Sequence, residues 1–521
     1  MSLNDVLPVP GFAPEHPTAS GLDPIRGWDD APDRYDVDVV IVGAGPGGSA
    51  VARQVAASGA SVLLLEDGPR RSRFRPSWTN SVRYHFQEFG TMLAEGPVPF
   101  PVMAGRGVGG GSLVNSAICF RTPEPVLREW AETLDDDRYL PEHIHPIYDE
   151  IEQRIGVVPV HEGIAGENNM IVARGVKALG PPLEGGLLRR NAPGCVGCGI
   201  CNFGCPSGGK ASVDRNLVID AREGGCIVQA ECRVEDVLVD GGRAVGVVGR
   251  LHDPDTRETK GRLLVRAGTV VLSAGAIGTP RLLYGCGLAK DLGPVGDQLH
   301  LHPGTGLLGL CDHEVHMWKG ATQGAYCWTP EEPKVLPHTF NVPPEAFISM
   351  TGAIGMEAKQ ALTDINRICG LGVMVSDKGK GSVRTRKNGR AKLSYTWDPE
   401  DVETLKRGLI LSARVLLAGG AKKIRNGAHG AQWHDTPEQL AAELARTKLA
   451  DFVLYSAHPM STNPMGRDGS TSVVGPTGRA HRLDGLWIAD AGIFPTSLGV
   501  NPQLTTMVLG TMIGRQIAGT A

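Results

Sequence analysis

The sequence predicts an α/β protein: a doubly wound parallel sheet assembled from several chain segments, with a second domain of mixed strands and helices before a C-terminal return. Three observations predict it. An apolar strand at residues 36–41 runs into a glycine-rich turn, a helix-spaced run and a second apolar strand. Further buried strands follow in the middle of the chain, one of them ending in another glycine turn. A last short strand and helix, near 486–490 and 503–519, bring the chain back to the same kind of unit. No internal repeat or low-complexity tract interrupts this order.

Taken in order, residues 1–35 are rich in Pro, Gly and Asp and read as an extended arm. Residues 36–41 form a buried strand, Gly43-Ala-Gly45-Pro-Gly-Gly48 the turn, residues 49–57 a helix, and residues 61–66 a strand ending on Glu66. A strand–turn–helix–strand unit of about thirty residues is a right-handed βαβ opening. Residues 70–104 read as aromatic loop, 105–111 as a glycine cluster, 124–154 as two helical stretches and 191–212 as a Gly/Cys-rich loop. Residues 228–248 read as strands around a Gly241-Gly242 hairpin turn, 269–273 as a buried strand followed by a helix opened by Thr279-Pro280, and 401–418 as a helix. The boundaries that follow are an arm at 1–35, a first domain at 36–299, a mainly substrate-binding domain at 300–450 and a return at 451–521.

Composition narrows the class. The 521 residues allow two to four domains at ~150 residues each. Lys+Arg total 52 against 56 Asp+Glu, formally −4, which argues against a broad nucleic-acid footprint. Hydrophobic residues at 41% exclude wholesale disorder. The 70 glycines show no Gly-X-Y period, which excludes collagen. The longest apolar runs are strand-sized, so no transmembrane anchor is expected. The N-terminus lacks a basic segment followed by an apolar one, so a cytoplasmic protein is expected. Eleven cysteines, an odd number without a secretory signal, favour free thiols or a metal site over a disulfide framework.

Four segments carry chemistry. In Gly43-x-Gly45-x-x-Gly48, Gly43 permits the tight turn, Gly45 lets the backbone approach a pyrophosphate and Gly48 lets the helix pack on the sheet. Glu66 can accept ribose hydroxyls. The motif alone does not separate FAD from NAD. In Gly105-Arg-Gly-Val-Gly-Gly-Gly-Ser-Leu-Val-Asn115 the near-absence of side chains allows a flat ring to lie against bare peptide. Ser273-Ala-Gly-Ala-Ile-Gly-Thr-Pro-Arg-Leu-Leu283 is a second strand-to-helix junction, and Ser456-Ala-His458-Pro precedes Asn501-Pro502 by about forty residues.

In this order the four segments resemble the glucose–methanol–choline (GMC) family of FAD oxidoreductases. Residues 105–115 look like its first signature and 275–283 like its second, while Asp490-Ala-Gly-Ile-Phe-Pro495 with Gly499-Val-Asn501-Pro502 is similar to its last conserved block. The likeness covers roughly 36–125, 195–285 and 450–520, and is weak over 300–450. The first signature is nearest the sterol and long-chain alcohol oxidase branch. The resemblance implies a Rossmann-like FAD-binding domain and an α+β substrate domain with an antiparallel sheet. It implies bound FAD, with Gly43, Gly45 and Gly48 at the pyrophosphate, Glu66 at the ribose, and the Val234 backbone at adenine. Gly110 and Asn115 would then lie near the flavin ring, Asp490 near the pyrophosphate or ribityl chain, and Pro502 with Asn501 at the ring edge. His458 and Asn501 stand at the catalytic places, His458 as base and Asn501 orienting the oxygen while hydride goes to the flavin. The implied partners are a small alcohol, apolar or cyclic, and oxygen or another electron acceptor. A flavin-containing lyase on the same scaffold, or an electron-transfer flavoprotein, are the other classes.

Cys195-x-x-Cys198-x-x-Cys201-x-x-x-Cys205-Pro repeats a ferredoxin half-motif, so an iron–sulfur cluster feeding electrons to a partner stands beside plain thiols or a local disulfide. His300-x-His302 is either structural, flavin-proximal or metal-binding, and the Trp318, Gln323, Tyr326, Trp328 group either lines the substrate pocket or packs internally.

Overall fold

The computed structural model describes residue 22 and residues 25–70, 77–344, 347–348 and 354–520. Most of the arm expected over 1–35 therefore lies outside the described residues. The first strand, Arg34–Val42, lies between Val62–Leu65 and Thr259–Leu272, parallel to both. Val39 to Val42 and Val62 to Leu65 are all buried, as a strand covered on both faces requires. Ile227–Gln229 extends one edge in parallel. On the other side Thr259–Leu272 divides its length: its first half pairs antiparallel with Arg243–His252, and Val270–Leu272 pairs parallel with Leu486–Ile488. Cys232–Asp240 completes the hairpin about Gly241 and Gly242, both at positive φ. The sheet is doubly wound and drawn from distant segments, as expected. Two helices pack against each other beside it, Pro46–Ala57 and Gln503–Ala518.

A second, antiparallel sheet runs in the order Lys423–Asn426, Gly304–Leu310, Ile368–Val375, Val335–Thr339, Ala325–Trp328, Glu184–Leu187. The helix Pro399–Ala418, capped by the Asp398 side chain, packs on it through Leu405, Leu409 and Leu416.

Three local expectations change. The strand expected at 269–273 begins at Thr259, because its earlier part is one-sided: Leu263, Val265 and Ala267 are buried while Arg262, Leu264 and Arg266 between them are not. The expected loop at 70–104 holds, in its described part, the helix Trp78–Tyr84 and the strands Leu93–Glu95 and Phe100–Pro101, the former paired in parallel with Ala391–Thr396. That partner is some 300 residues away, so no local pattern announces it. The helix expected to open at Thr279-Pro280 starts at Gly275 and carries Pro280 inside. Proline cannot bond the carbonyl four residues back; that oxygen, on Ala276, instead accepts the Thr462 hydroxyl at 2.7 Å. Among the described residues no helix is long and apolar enough to cross a membrane.

Candidate active site

A cavity of about 1320 Å³ separates the carboxyl edge of the parallel sheet from the antiparallel sheet. Ligands in open α/β folds sit at that edge, where strand order reverses. Gly43, at φ +109, places the position of a Cβ only 2.2 Å from the Ser273 carbonyl oxygen, and a Cβ on Gly48 would stand 2.0 Å from the Gly43 oxygen. Gly110, at φ +54, would drive a Cβ to 2.7 Å from the Gly45 Cα. The two glycine segments thus touch through bare backbone. Gly45 caps the helix Pro46–Ala57 without any side-chain bond to its first N–H groups, which leaves them for an anion.

Glu66 is buried, and its oxygens accept the N–H groups of Ala44 (3.0 Å), Gly68 (2.8 Å) and Gly107 (3.1 Å). Burial raises its pKa; the three donors oppose that rise. Beside it Asp67 gathers Arg106 at 3.2 Å and Arg233 at 3.0 Å. Burial would raise the Asp67 pKa, but Arg106, Arg233 and their neighbours hold it well below the carboxylate range. Arg257 and Arg281 line the same end. Burial and the adjoining cations pull Arg257 down to about 10, and burial with Arg233 pulls Arg281 down as well. Among the described residues the Arg281 guanidinium has no hydrogen-bonded partner. The four guanidinium groups outnumber the carboxylates of Glu66, Asp67 and Glu88 at this end of the cavity, and Val234 lines it there. A bare glycine cradle, an open helix N-terminus and a cationic end fit a dinucleotide such as FAD.

At the other end His458 Nε2 and Asn501 Nδ2 are 3.1 Å apart, and Asn501 Oδ1 is buried without a partner among the described residues. His458 faces the cavity; burial, then the neighbouring His302 and His338, hold its pKa well below that of free histidine. The imidazole is therefore neutral, and its Nε2 lone pair, which here accepts the Asn501 Nδ2–H, is the one a substrate hydroxyl would meet. Asn115 bonds the Gln503 side chain and accepts Ala117 N–H at 3.1 Å. Asp490 accepts Gly275 N–H (2.9 Å), the Thr279 hydroxyl (2.6 Å) and Gly492 N–H (2.8 Å), and burial raises its pKa to about 6. It ties the second glycine turn to the last strand. Pro502 caps the final helix at the cavity wall.

Every residue singled out for the flavin or the reaction lines this cavity or braces its wall. The arginine ring, His338 and Gln503 were not singled out from the sequence, although Arg106 and Arg281 stood inside quoted motifs. Of the aromatic group at 318–328 only Gln323 reaches the cavity, while Tyr326 packs edge-on against Phe120 and Trp318 against His316. His302 lines the cavity too.

The cysteines Cys195, Cys198, Cys201 and Cys205 are not gathered as a metal centre: among the described residues no group of three or more His, Cys, Asp or Glu side chains could hold a metal ion. The ferredoxin-like spacing is used otherwise. The buried Arg190 guanidinium donates to Cys201 Sγ at 3.1 Å and to Cys195 Sγ at 3.9 Å, and Lys210 N–H donates to Cys205 Sγ at 3.2 Å. The buried Lys210 ammonium donates to the carbonyls of Leu113 (2.8 Å), Asn115 (2.8 Å) and Cys201 (3.2 Å). Cations occupy the centre of the loop and buttress the strip of backbone after Gly110.

A family model described as GMC oxidoreductase matches the chain in two blocks, residues 38–304 for its N-terminal part and 377–510 for its C-terminal part. An uncharacterised GMC-type oxidoreductase of Mycobacterium tuberculosis is 34% identical over 491 residues, covering 94% of this chain and 76% of that protein. A long-chain-alcohol oxidase of Arabidopsis thaliana is 28% identical, covering 93% of this chain and 68% of that protein. Among solved structures, pyridoxine 4-oxidase from Mesorbium loti superposes with a TM-score of 0.70 at 17% identity, over 92% of this chain and 98% of that one. At that identity the likeness speaks for the fold alone.

Proposed function

The chain belongs to the GMC oxidoreductase family and is an FAD-dependent enzyme, and from that premise we propose that it oxidises an apolar alcohol to a carbonyl compound, with His458 and Asn501 handling the hydroxyl. The observation that carries this reading is the His458–Asn501 contact at 3.1 Å inside the cavity. A substrate hydroxyl entering there accepts a hydrogen bond from Asn501 Nδ2 and gives its proton to His458 Nε2. The same amide N–H then steadies the negative charge that builds on the oxygen. The partly buried setting strengthens both contacts. FAD, when bound, supplies the hydride acceptor for the carbinol hydrogen.

Gly43, Gly45 and Gly48 would hold its pyrophosphate, the arginines at Asp67 would balance its charge, and Glu66 and Val234 would take ribose and adenine. Gly110, Asn115, Asp490 and Pro502 would frame the ring end. On this reading residues 36–299 and 451–521 hold the cofactor, and 300–450 shapes the substrate pocket. Phe340, Val342 and Met374 of that segment, with Ile118 and Phe203 opposite, line the cavity, which supports an apolar alcohol. The electron acceptor after the flavin is oxygen or another oxidant.

Anaerobic titration tests the activity: an aliphatic or sterol alcohol should bleach the flavin absorbance, and sugars should not. A flavin that no alcohol bleaches would count against it. The pH dependence follows from the same site. His458 must be neutral to accept a proton, and its folded-state pKa lies below the 6.5 of free histidine. The limiting rate of flavin reduction should therefore stay level from alkaline pH down through 6.5, with its acid limb below that value. An acid limb centred at or above 6.5, measured by stopped flow, would contradict the assignment.

A further inference from the structure

Asp377 lies just beyond the strand Ile368–Val375 and is buried. Its carboxylate accepts Leu301 N–H at 2.9 Å, His302 N–H at 3.3 Å, the Tyr395 hydroxyl at 2.8 Å and the Ser497 hydroxyl at 2.7 Å. His300 Nδ1 stands 3.5 Å away. Burial would raise the pKa of such a group; His300 and the surrounding donors instead hold it down at about 2, so it is charged.

Two of these partners lead to the reacting pair. His302 sits at φ +47, a left-handed conformation that costs a residue with a side chain about 1 kcal/mol or more. Asp377 holds it there by taking its N–H and that of Leu301. In that conformation the ring enters the cavity: Nε2 accepts Gly499 N–H at 2.9 Å, and the ring meets His458 edge-on, with centroids 5.5 Å apart at 80°. Ser497, Gly499 and Asn501 belong to one short loop before the last helix, and Asn501 closes the circuit on His458. Neither His458 nor Asn501 lies in a helix or strand, so no regular backbone ladder fixes the distance between them.

We propose that Asp377 and His302 are positioning residues for the oxidation: the carboxylate locks the His302 backbone, and the His302 ring sets the loop 497–501 so that Asn501 meets His458. The proposal rests on the alcohol-oxidation reading for its kinetic test and on geometry alone for its second one. Neither residue is asked to touch the substrate hydroxyl.

The test compares holoenzyme of the wild type with His302→Leu, His302→Gln and Asp377→Asn, reduced anaerobically by the alcohol that best bleaches the wild type. Misplacing a reacting group by about 1 Å costs on the order of 10²-fold. His302→Leu should lower the limiting rate by about 10- to 100-fold, with substrate Kd changed by less than about threefold. Glutamine reaches the same point with an acceptor oxygen, so His302→Gln should recover most of the loss. Asp377→Asn offers one acceptor oxygen where four donors converge, and should fall with His302→Leu. If it does not fold, the two His302 variants decide, since they leave the carboxylate in place. A wild-type limiting rate in His302→Leu, or equal losses in rate and binding that glutamine does not rescue, would overturn the proposal.

A second readout needs no substrate. In holoenzyme carrying ¹⁵N-histidine, the His458 ring signal should move in His302→Leu and return in His302→Gln; an unmoved signal overturns the positioning role. If no alcohol bleaches the wild type, the activity fails, and this measurement still judges the geometry.

Discussion

Replacing His458 with alanine should slow reduction of the bound flavin by alcohol by about 10²–10⁴-fold, the usual contribution of a positioned general base, and leave flavin content at the wild-type level. The side chain's hydrogen-bonded contact is with Asn501, it meets the His302 ring edge-on, and it also lines the cavity. The truncation therefore enlarges a space that already exists instead of opening a hole in a core cluster. The residues assigned to the flavin are held by other contacts: Glu66 by three N–H groups, Asp490 by two N–H groups and a hydroxyl. Stopped-flow reduction without oxygen, set beside the flavin-to-protein absorbance ratio, checks both halves. A flavin-replete mutant reduced as fast as wild type would remove His458 from the reaction. Asn501→Ala should also be slower, by about 10²-fold, since it removes one stabilising donor.

The second large effect separates glycines that serve the fold from one that serves the ligand. A methyl on Gly48 would lie 2.0 Å from the Gly43 carbonyl oxygen and 3.2 Å from Ser273 Cβ. The first of these is backbone held in the sheet's edge, so the helix Pro46–Ala57 would have to move. Gly48→Ala should cost about 3 kcal/mol or more, at the upper end for overpacking, and yield aggregated or unfolded protein. Gly45 differs. Its φ of −80° suits any residue, and its nearest neighbour to a Cβ is Gly110 Cα at 3.8 Å. The methyl would point into space assigned to the pyrophosphate. Gly45→Ala should keep the melting temperature of flavin-stripped protein close to wild type and weaken flavin binding. Flavin retention by Gly45→Ala, or a well-folded Gly48→Ala, would show that the division is misplaced.

These contrasts show where the sequence was readable. The βαβ opening was legible because each of its parts is local: an apolar strand, a turn that tolerates no Cβ, a helix and a strand ending on Glu66. The Gly241-Gly242 hairpin and the helix at 401–418 were legible for the same reason. The 458 and 501 positions were legible only through the likeness to a family, since a histidine before proline and an asparagine before proline carry no signal of their own. The cysteine spacing left iron–sulfur and plain thiols both open. A run of thiols at ferredoxin intervals looks the same in sequence whether its centre takes iron or the side chains of Arg190 and Lys210, and those two residues lie outside the run.

Residue order alone determined the elements whose stabilising contacts lie within a few turns of chain: the glycine turns, the buried strands and the fold class they compose. Tertiary structure alone decided which distant residues share one enclosed space. It brought Leu93–Glu95 to Ala391–Thr396, Glu184–Leu187 to the antiparallel sheet, and Asp377 to the loop 497–501. The physical reason is that hydrogen-bond donors and charges act over a few ångströms of space, whatever the length of chain between them. The neutrality of His458, set by burial and by His302 and His338, is of that kind.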